Sequence, residues 1–143
     1  GKTHLLLAIG NGLLGQADAK PVVYANAPDL LDSLKATFGR NGDGDTYDER
    51  FRALRTVDVL LLDDLGAESP TPWAAQALYQ LLDYRYMREL PTAIASNMTM
   101  AEFPDRIRSR LKDRSVVQIV GITSRDYRRQ KARRRAPKTG GGP

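Results

Sequence analysis

The 143-residue chain contains no cysteine and a single histidine, His4. Those two shortages exclude disulfide scaffolds, thiolate-ligated zinc, cysteine nucleophiles and multi-histidine metal centres, and they argue against a Ser-His-Asp triad. His4 itself reads as a partly exposed residue in the first turn of a helix. No stretch reaches 18 consecutive apolar residues, so no transmembrane helix is expected and no membrane partner is implied. The missing cysteines fit a cytoplasmic location. There is no internal repeat, and the length suits one domain with one core.

The net charge lies at one end. Residues 125–143 carry eight Lys/Arg against Asp126, a net +7, whereas the first 124 residues carry 14 Lys/Arg against 16 Asp/Glu, a net −2. The basicity therefore belongs to a tail, "DYRRQKARRRAPKTGGGP", which ends in Pro and Gly and has no apolar anchors. Residues 1–124 read as the folded core and 125–143 as a disordered extension. Its arginine cluster suits a polyanion as well as bare solvent.

The chain opens "GKTHLLLAIG", and this start admits two readings. Lys2, the apolar run from Leu5 to Leu14 and the Ala17-Asp18-Ala19 triplet imitate a secretory signal peptide. Gly10-Asn11-Gly12 interrupts that run, however, and Leu5, Ile9 and Leu13 recur at helical spacing, as in a helix packed on a sheet. The other reading takes Gly1-Lys2-Thr3 as the end of a phosphate-binding G-x-x-x-x-G-K-[ST] loop. In such loops backbone N–H groups cradle phosphate, the Lys reaches the β/γ-phosphates, and the Thr hydroxyl holds Mg²⁺.

Further along, "PVVYAN" (21–26), "VDVLLLDD" (57–64), "PTAIASN" (91–97) and "VVQIV" (116–120) read as buried strands. Between them, "APDLLDSLKATF", with Leu30, Leu31 and Leu34 on one face and Asp29 near its start, is expected to be helical. So are "DERFRAL", "WAAQALYQLLDYRYMREL" (73–90) and "PDRIRSRLKD" (104–113). "GRNGDGD" (39–45) is a turn-rich loop. Continuous apolar strands separated by helices predict an α/β fold with a parallel sheet covered on both faces.

The polar residues that close those strands carry the chemistry. Asp63 and Asp64 end an apolar strand, where open α/β sheets bind ligands. Paired with Lys2 and Thr3, Asp63 would share Mg²⁺ with Thr3, and Asp64 would orient or deprotonate an attacking water. The same two acids could equally cap a helix or close a turn. Asn97 could polarise that water or sense the γ-phosphate, or simply start a turn. Arg106 and Arg110 fall on one helical face and Arg108 on another. Guanidinium groups there would neutralise phosphate, or form a solvated basic face.

GKTHL, LLLDDLG, ASN, SRL and G-x-x-x-x-DYR, in that order, resemble the AAA+ ATPases, more narrowly the DnaC/DnaI-type helicase loaders and the IstB-type transposition helpers. The resemblance spans roughly residues 1–130 and favours the phosphate loop over the signal peptide. It implies an AAA+ P-loop core that binds and hydrolyses ATP with Mg²⁺. Gly1, Lys2, Thr3 and His4 would form the end of the nucleotide loop, and Asp63 and Asp64 the Walker B acids. Asn97 would be sensor 1, Arg110 the arginine that reaches a neighbouring subunit's ATP, and Arg128 a sensor-2-like contact. It also implies single-stranded DNA as a partner, with Lys35, Arg40, Arg50, Arg52 and Arg55 as candidate contacts that read equally as solvated surface.

Two departures from the family pattern matter. The second Walker B acid is Asp rather than the commoner Glu, which suits slow, switch-like hydrolysis. The chain also begins within the loop motif, without Met. The expectation is a fragment lacking the first, central strand and the first five loop residues, without a C-terminal lid domain, and binding ATP negligibly by itself. The leading function is a loader of the replicative helicase. A transposition helper with a transposase partner is the alternative, and a DNA-binding module with an inactive ATP site is a third reading.

Overall fold

In a computed structural model, residues 1–38 and 46–122 are described. The chain order is α1 (Lys2–Leu14), β1 (Val22–Asn26), α2 (Ala27–Lys35), α3 (Tyr47–Thr56), β2 (Val59–Leu65), α4 (Pro72–Met87), β3 (Thr92–Ser96) and α5 (Asp105–Leu111). The three strands form a parallel sheet in the order β1-β2-β3. The loop over 39–45 and the basic extension from residue 125 lie outside the described residues.

The apolar run "VLLL" makes β2 the buried middle strand, and its period of two divides it between the two faces. Leu60 and Leu62 join a cluster with Leu31 and Leu34 of α2, Phe51 of α3, Leu78 and Leu81 of α4 and Ile107 of α5. Leu61 faces α1, where Gly10 sits so close that a Cβ on it would lie 2.9 Å from Leu61 Cδ1. Helices thus cover both faces, as continuous apolar strands require.

Local signals set the helix boundaries. Asn26 caps α2 by accepting from the Asp29 N–H, Thr46 and Glu49 form a reciprocal capping box on α3, and Thr71 caps α4 ahead of Pro72. α4 stops earlier than the sequence pattern suggests, because Glu89 takes φ 51° and the Leu90 N–H returns to the Arg85 carbonyl.

Two expectations are corrected. The buried face of α1 is Leu6 and Gly10, one turn apart, while Leu5 and Ile9 are exposed. The helical spacing was right but the face was displaced by one residue, because glycine at position 10 allows the closest approach to the sheet. Residues 116–120 form no strand. Val116 and Val117 turn back onto the Asp113 carbonyl, and Val116, Ile119 and Val120 are exposed. An apolar run becomes a strand only beside a partner edge, and among the described residues none pairs with it.

One irregularity shapes the sheet's C-terminal edge. β2 and β3 are in register through Leu62 and Ile94 and again at Leu65 and Ser96, so β2 holds one residue more over that interval. This bulge falls on Asp63-Asp64, and Asp64 adopts φ 56°. Aspartate tolerates that left-handed conformation better than most residues. Ser96 Oγ donates to the Leu65 carbonyl at 2.5 Å and accepts the Met98 N–H at 3.0 Å, closing the ladder beyond the bulge.

Candidate functional site

The C-terminal ends of β2 and β3 meet the N-terminus of α1. Lys2 Nζ donates to Asn97 Oδ1 at 2.6 Å, and Asn97 Nδ2 donates to Asp64 Oδ1 at 3.3 Å. A cation from the first helical turn is thus linked to a carboxylate of the middle strand through an amide 95 residues away in sequence from Lys2. The bulge makes this possible. In an unbroken pleat Asp63 and Asp64 would alternate faces, whereas here Asp64 meets the Asn97 amide and Asp63 is held underneath.

Asp63 is buried at 4% exposure. Its Oδ1 accepts the Asp64 N–H at 3.0 Å, and its Oδ2 accepts the Tyr24 hydroxyl at 2.9 Å. Tyr24 comes from β1, two residues before Asn26, which lies opposite Asp63 in the register. The hydrogen bond to the Asp63 carboxylate, followed by desolvation and the negative charges of Asp63, Asp64 and Asp29, raises the Tyr24 phenol above its ordinary value. Tyr24 therefore stays a donor to Asp63. Sequence reasoning missed it, since a tyrosine within an apolar strand looks like core; the only available signal was its place two residues from the strand end.

α1 differs from the other long helices. α2, α3 and α4 each have a side-chain cap at the N-terminus, whereas α1 has none; like α4, it has no acidic residue in its first turn. Gly1 takes the N-cap position, Lys2 and Thr3 are half-buried, and His4 is exposed. The first N–H groups of a helix carry partial positive charge and have no intrahelical partner, so this end is suited to an anion. Together with Lys2 it forms the cationic half of the site, and Asp63 and Asp64 form the anionic half. That donor set fits a phosphate with a divalent cation, because Mg²⁺ takes one or two carboxylates and completes its shell with phosphate oxygens and water. Thr3 stands in the same first turn, but no hydrogen bond connects it to the acids among the described residues.

The remaining site candidates are not gathered there. Arg110 Nε donates to Asp83 Oδ1 of α4 at 2.9 Å, and its guanidinium lies over the Tyr86 ring at 5.2 Å. Asp83 is two residues before Arg85, which binds the Pro91 carbonyl and Thr92 at the start of β3, so Arg110 sits toward the sheet's opposite edge. The hydrogen bond to Asp83, and then its charge, raises the Arg110 pKa further, so it is always a cation. Arg106 lies 5.5 Å over the Tyr79 ring, and Arg108 binds the Ala101 and Phe103 carbonyls and Asp105. Arg108 thus ties down the start of its own helix. Arg128 and Arg40 lie outside the described residues. Of the other basic candidates, Lys35, Arg50 and Arg52 are exposed. Arg55 is half-buried, stacked 4.2 Å over Tyr84 and 5.6 Å from the Phe51 ring, and so is not a simple solvated cation.

A parallel sheet with a lysine at a helix N-terminus, paired acids at the middle strand's end and an asparagine at its neighbour's end defines an AAA+ type of nucleotide-binding core. The chain belongs to the family of IstB-like ATP binding proteins, which matches it over residues 1–136. It is 34% identical over 103 residues to the replicative helicase loader DnaI of Bacillus subtilis (strain 168), covering 71% of this chain and 31% of that protein. It is 29% identical over 114 residues to the replicative helicase loader DnaC of Escherichia coli (strain K12), covering 80% of this chain and 45% of that one. The chain therefore spans less than half the length of either relative. Among solved structures, the replication initiator DnaA bound to AMPPCP and single-stranded DNA superposes with a TM-score of 0.68 at 27% identity, over 79% of this chain and 34% of that one. These relationships support the AAA+ core and its helicase-loader and IstB-like branch. No helix among the described residues is long and apolar enough to cross a membrane.

Proposed function

We propose that this chain is the ATP-binding core of a loader for a replicative DNA helicase, in which ATP binding and slow hydrolysis switch the protein between conformations. The Lys2–Asn97–Asp64 chain of hydrogen bonds is the observation that carries the reading. It sets an ammonium, a neutral amide and a carboxylate side by side, the three groups needed to hold a terminal phosphate, register its presence and orient a water. Lys2 and the N–H groups of Gly1, Lys2, Thr3 and His4 bind phosphate oxygens. Asn97 exchanges its Lys2 contact for phosphate and keeps Asp64 oriented, and Asp64 accepts a proton from the attacking water. Thr3 and Asp63 would hold Mg²⁺, with Tyr24 fixing the Asp63 carboxylate; a divalent cation bound there neutralises phosphate charge. Arg110 acts in trans on a neighbouring copy's nucleotide, and Arg128 supplies a further phosphate contact. Single-stranded DNA binds the basic surface.

The match to IstB-like proteins favours a second reading, a transposition helper with a transposase as partner. The two are separated by capture experiments with the full-length protein, using a replicative helicase hexamer and a transposase, each with and without ATP. Nucleotide-dependent helicase capture that is lost in Lys2→Ala and changed in Arg110→Ala supports the loader. Capture of the transposase alone assigns the chain to the second reading. DNA binding indifferent to both substitutions, with neither partner captured, refutes both and leaves a DNA-binding module with an inactive site.

A further inference from the structure

α4 and α5 meet through matched four-residue spacings. Tyr79 and Asp83, one turn apart on α4, receive Arg106 and Arg110, one turn apart on α5. Arg110 is the more fully constrained. Asp83 Oδ1 accepts from its Nε at 2.9 Å, the Tyr86 ring centroid lies 5.2 Å from the guanidinium carbon, and neither terminal Nη group has a hydrogen-bond partner among the described residues. Tyr86 is held in turn. Its hydroxyl donates to Asp113, whose other oxygen accepts from the Ser115 N–H at 3.0 Å and the Ser115 Oγ at 2.5 Å.

We infer that Asp83 and Tyr86 are positioning residues for Arg110: Asp83 takes the inner nitrogen, Tyr86 fixes the plane, and the two Nη groups are left for a phosphate on another copy of the chain. This rests on the proposed action of Arg110 in trans. An arginine on a free stem samples many rotamers, whereas bidentate recognition of phosphate needs both Nη groups in a fixed plane. Stabilising the helix pair does not account for the arrangement as well. The Arg110 side chain is 35% exposed and Asp83 28%, and ion pairs so open to water add little to stability. α5 is already anchored by buried Ile107.

The contact could instead be a latch that keeps Arg110 from phosphate, and kinetics separate the two. In the assembled full-length protein, Asp83→Ala is expected to lower the kcat for ATP by about 10- to 100-fold, the scale of a displaced catalytic group, with KM little changed. Asp83→Asn keeps an oxygen acceptor for Nε and should restore most of the rate. Asp83→Ala added to Arg110→Ala should slow it no further. Mixing either variant with Lys2→Ala subunits, which retain Asp83 and Arg110, should restore turnover. Unchanged or faster turnover in Asp83→Ala, or a double variant slower than Arg110→Ala, overturns the positioning role. Arg110→Ala without effect, or not restored by mixing, overturns the action in trans on which the inference rests.

Discussion

Replacing Arg85 with leucine should be the most damaging single change in this core. Arg85 is 1% exposed and hydrogen-bonds to no carboxylate among the described residues, Asp58 acting on it through its charge alone. Its Nε donates to Thr92 Oγ1 at 2.8 Å. One terminal nitrogen donates to the carbonyls of Leu54, Arg55 and Val57 at 3.1, 3.2 and 2.8 Å, and the other to that of Pro91 at 2.8 Å. One side chain thus caps the C-terminus of α3 and ties it to the entrance of β3. Burial pushes its pKa down from the ordinary arginine value, but the starting value is so high that it remains charged. Buried ion pairs are often replaceable by apolar residues at no net cost, because both charges leave together. Here four of the five acceptors are backbone carbonyls, which no substitution removes. Each unsatisfied buried acceptor costs about 1–3 kcal/mol. Water can reach part of the helix end, so the sum should settle near 4 kcal/mol, in the range for breaking a buried charged contact. With a denaturant slope of about 2 kcal/mol/M, the urea midpoint should fall by about 2 M. Arg85→Lys keeps the charge but cannot reach both α3 and β3 from a single nitrogen, so it should recover less than half of that. Urea unfolding of the full-length protein, followed by far-UV circular dichroism, measures this. A midpoint shift below about 0.3 M for Arg85→Leu, at an unchanged slope of that size, would refute the argument that these carbonyls depend on Arg85.

Two further outcomes follow from the same geometry. Gly66 adopts φ 94°, and a Cβ there would lie 2.0 Å from Met98 Sδ, so Gly66→Ala should cost about 2 kcal/mol, part from the left-handed backbone and part from displacing Met98. Adding Met98→Ala should reduce the penalty for placing alanine at 66 without abolishing it, and equal penalties in both backgrounds would rule out the steric half. At the start of α3, hydrogen bonds from the Thr46 backbone and hydroxyl hold the Glu49 carboxyl below its usual range. A depressed carboxylate stabilises the fold above its unfolded pKa of about 4.3, and that contribution fades as pH falls through the lower folded value. Amide exchange at the first turn of α3 should therefore lose protection on acidification below about pH 4, and Glu49→Gln should make it insensitive to that change; identical pH dependence in both would count against the capping box.

Much of this was legible in the residues because burial and periodicity agree there. The run "VLLL", short, uniformly apolar and closed by two carboxylates, fits a strand covered on both sides, and Leu31 and Leu34 of α2 turned inward as their spacing required. The G-K-T motif put Lys2 with Asp64 and Asn97, which end apolar strands, and hydrogen bonds connect the three side chains. Features that depend on three-dimensional partners were not legible. "VVQIV" has strand composition but pairs with no strand among the described residues. Arg85 lies in "LLDYRYMREL", where a charge at helical spacing reads as a solvated face, and only its acceptors at the end of α3 and the start of β3 explain its burial. Asp83 and Tyr86 in the same stretch were invisible for the same reason.

The bulge at Asp63-Asp64 had no sequence signal either, since neither glycine nor proline marks it, yet it decides how the two acids differ. In a regular strand, consecutive carboxylates alternate between faces, and only one of them could address a ligand at the sheet's edge. The extra residue turns Asp64 to the Asn97 amide at 3.3 Å while the Asp64 N–H stays on Asp63 Oδ1 at 3.0 Å. Asp63 is therefore buried with both oxygens engaged, by a backbone donor and by the Tyr24 hydroxyl, which fits the fixed, ion-holding role proposed for it. Asp64 is half-buried, with one oxygen on a neutral amide, which suits a group that must meet a water. A shorter acid than glutamate reaches less far, and the bulge sets the Asp64 backbone beside the end of β3, where that reach matters least. The left-handed conformation at Asp64 costs on the order of 1 kcal/mol. It is held there by the Ser96 hydroxyl on the Leu65 carbonyl and by the close fit of Gly66 to Met98, so the residues just past the acids maintain the difference between them.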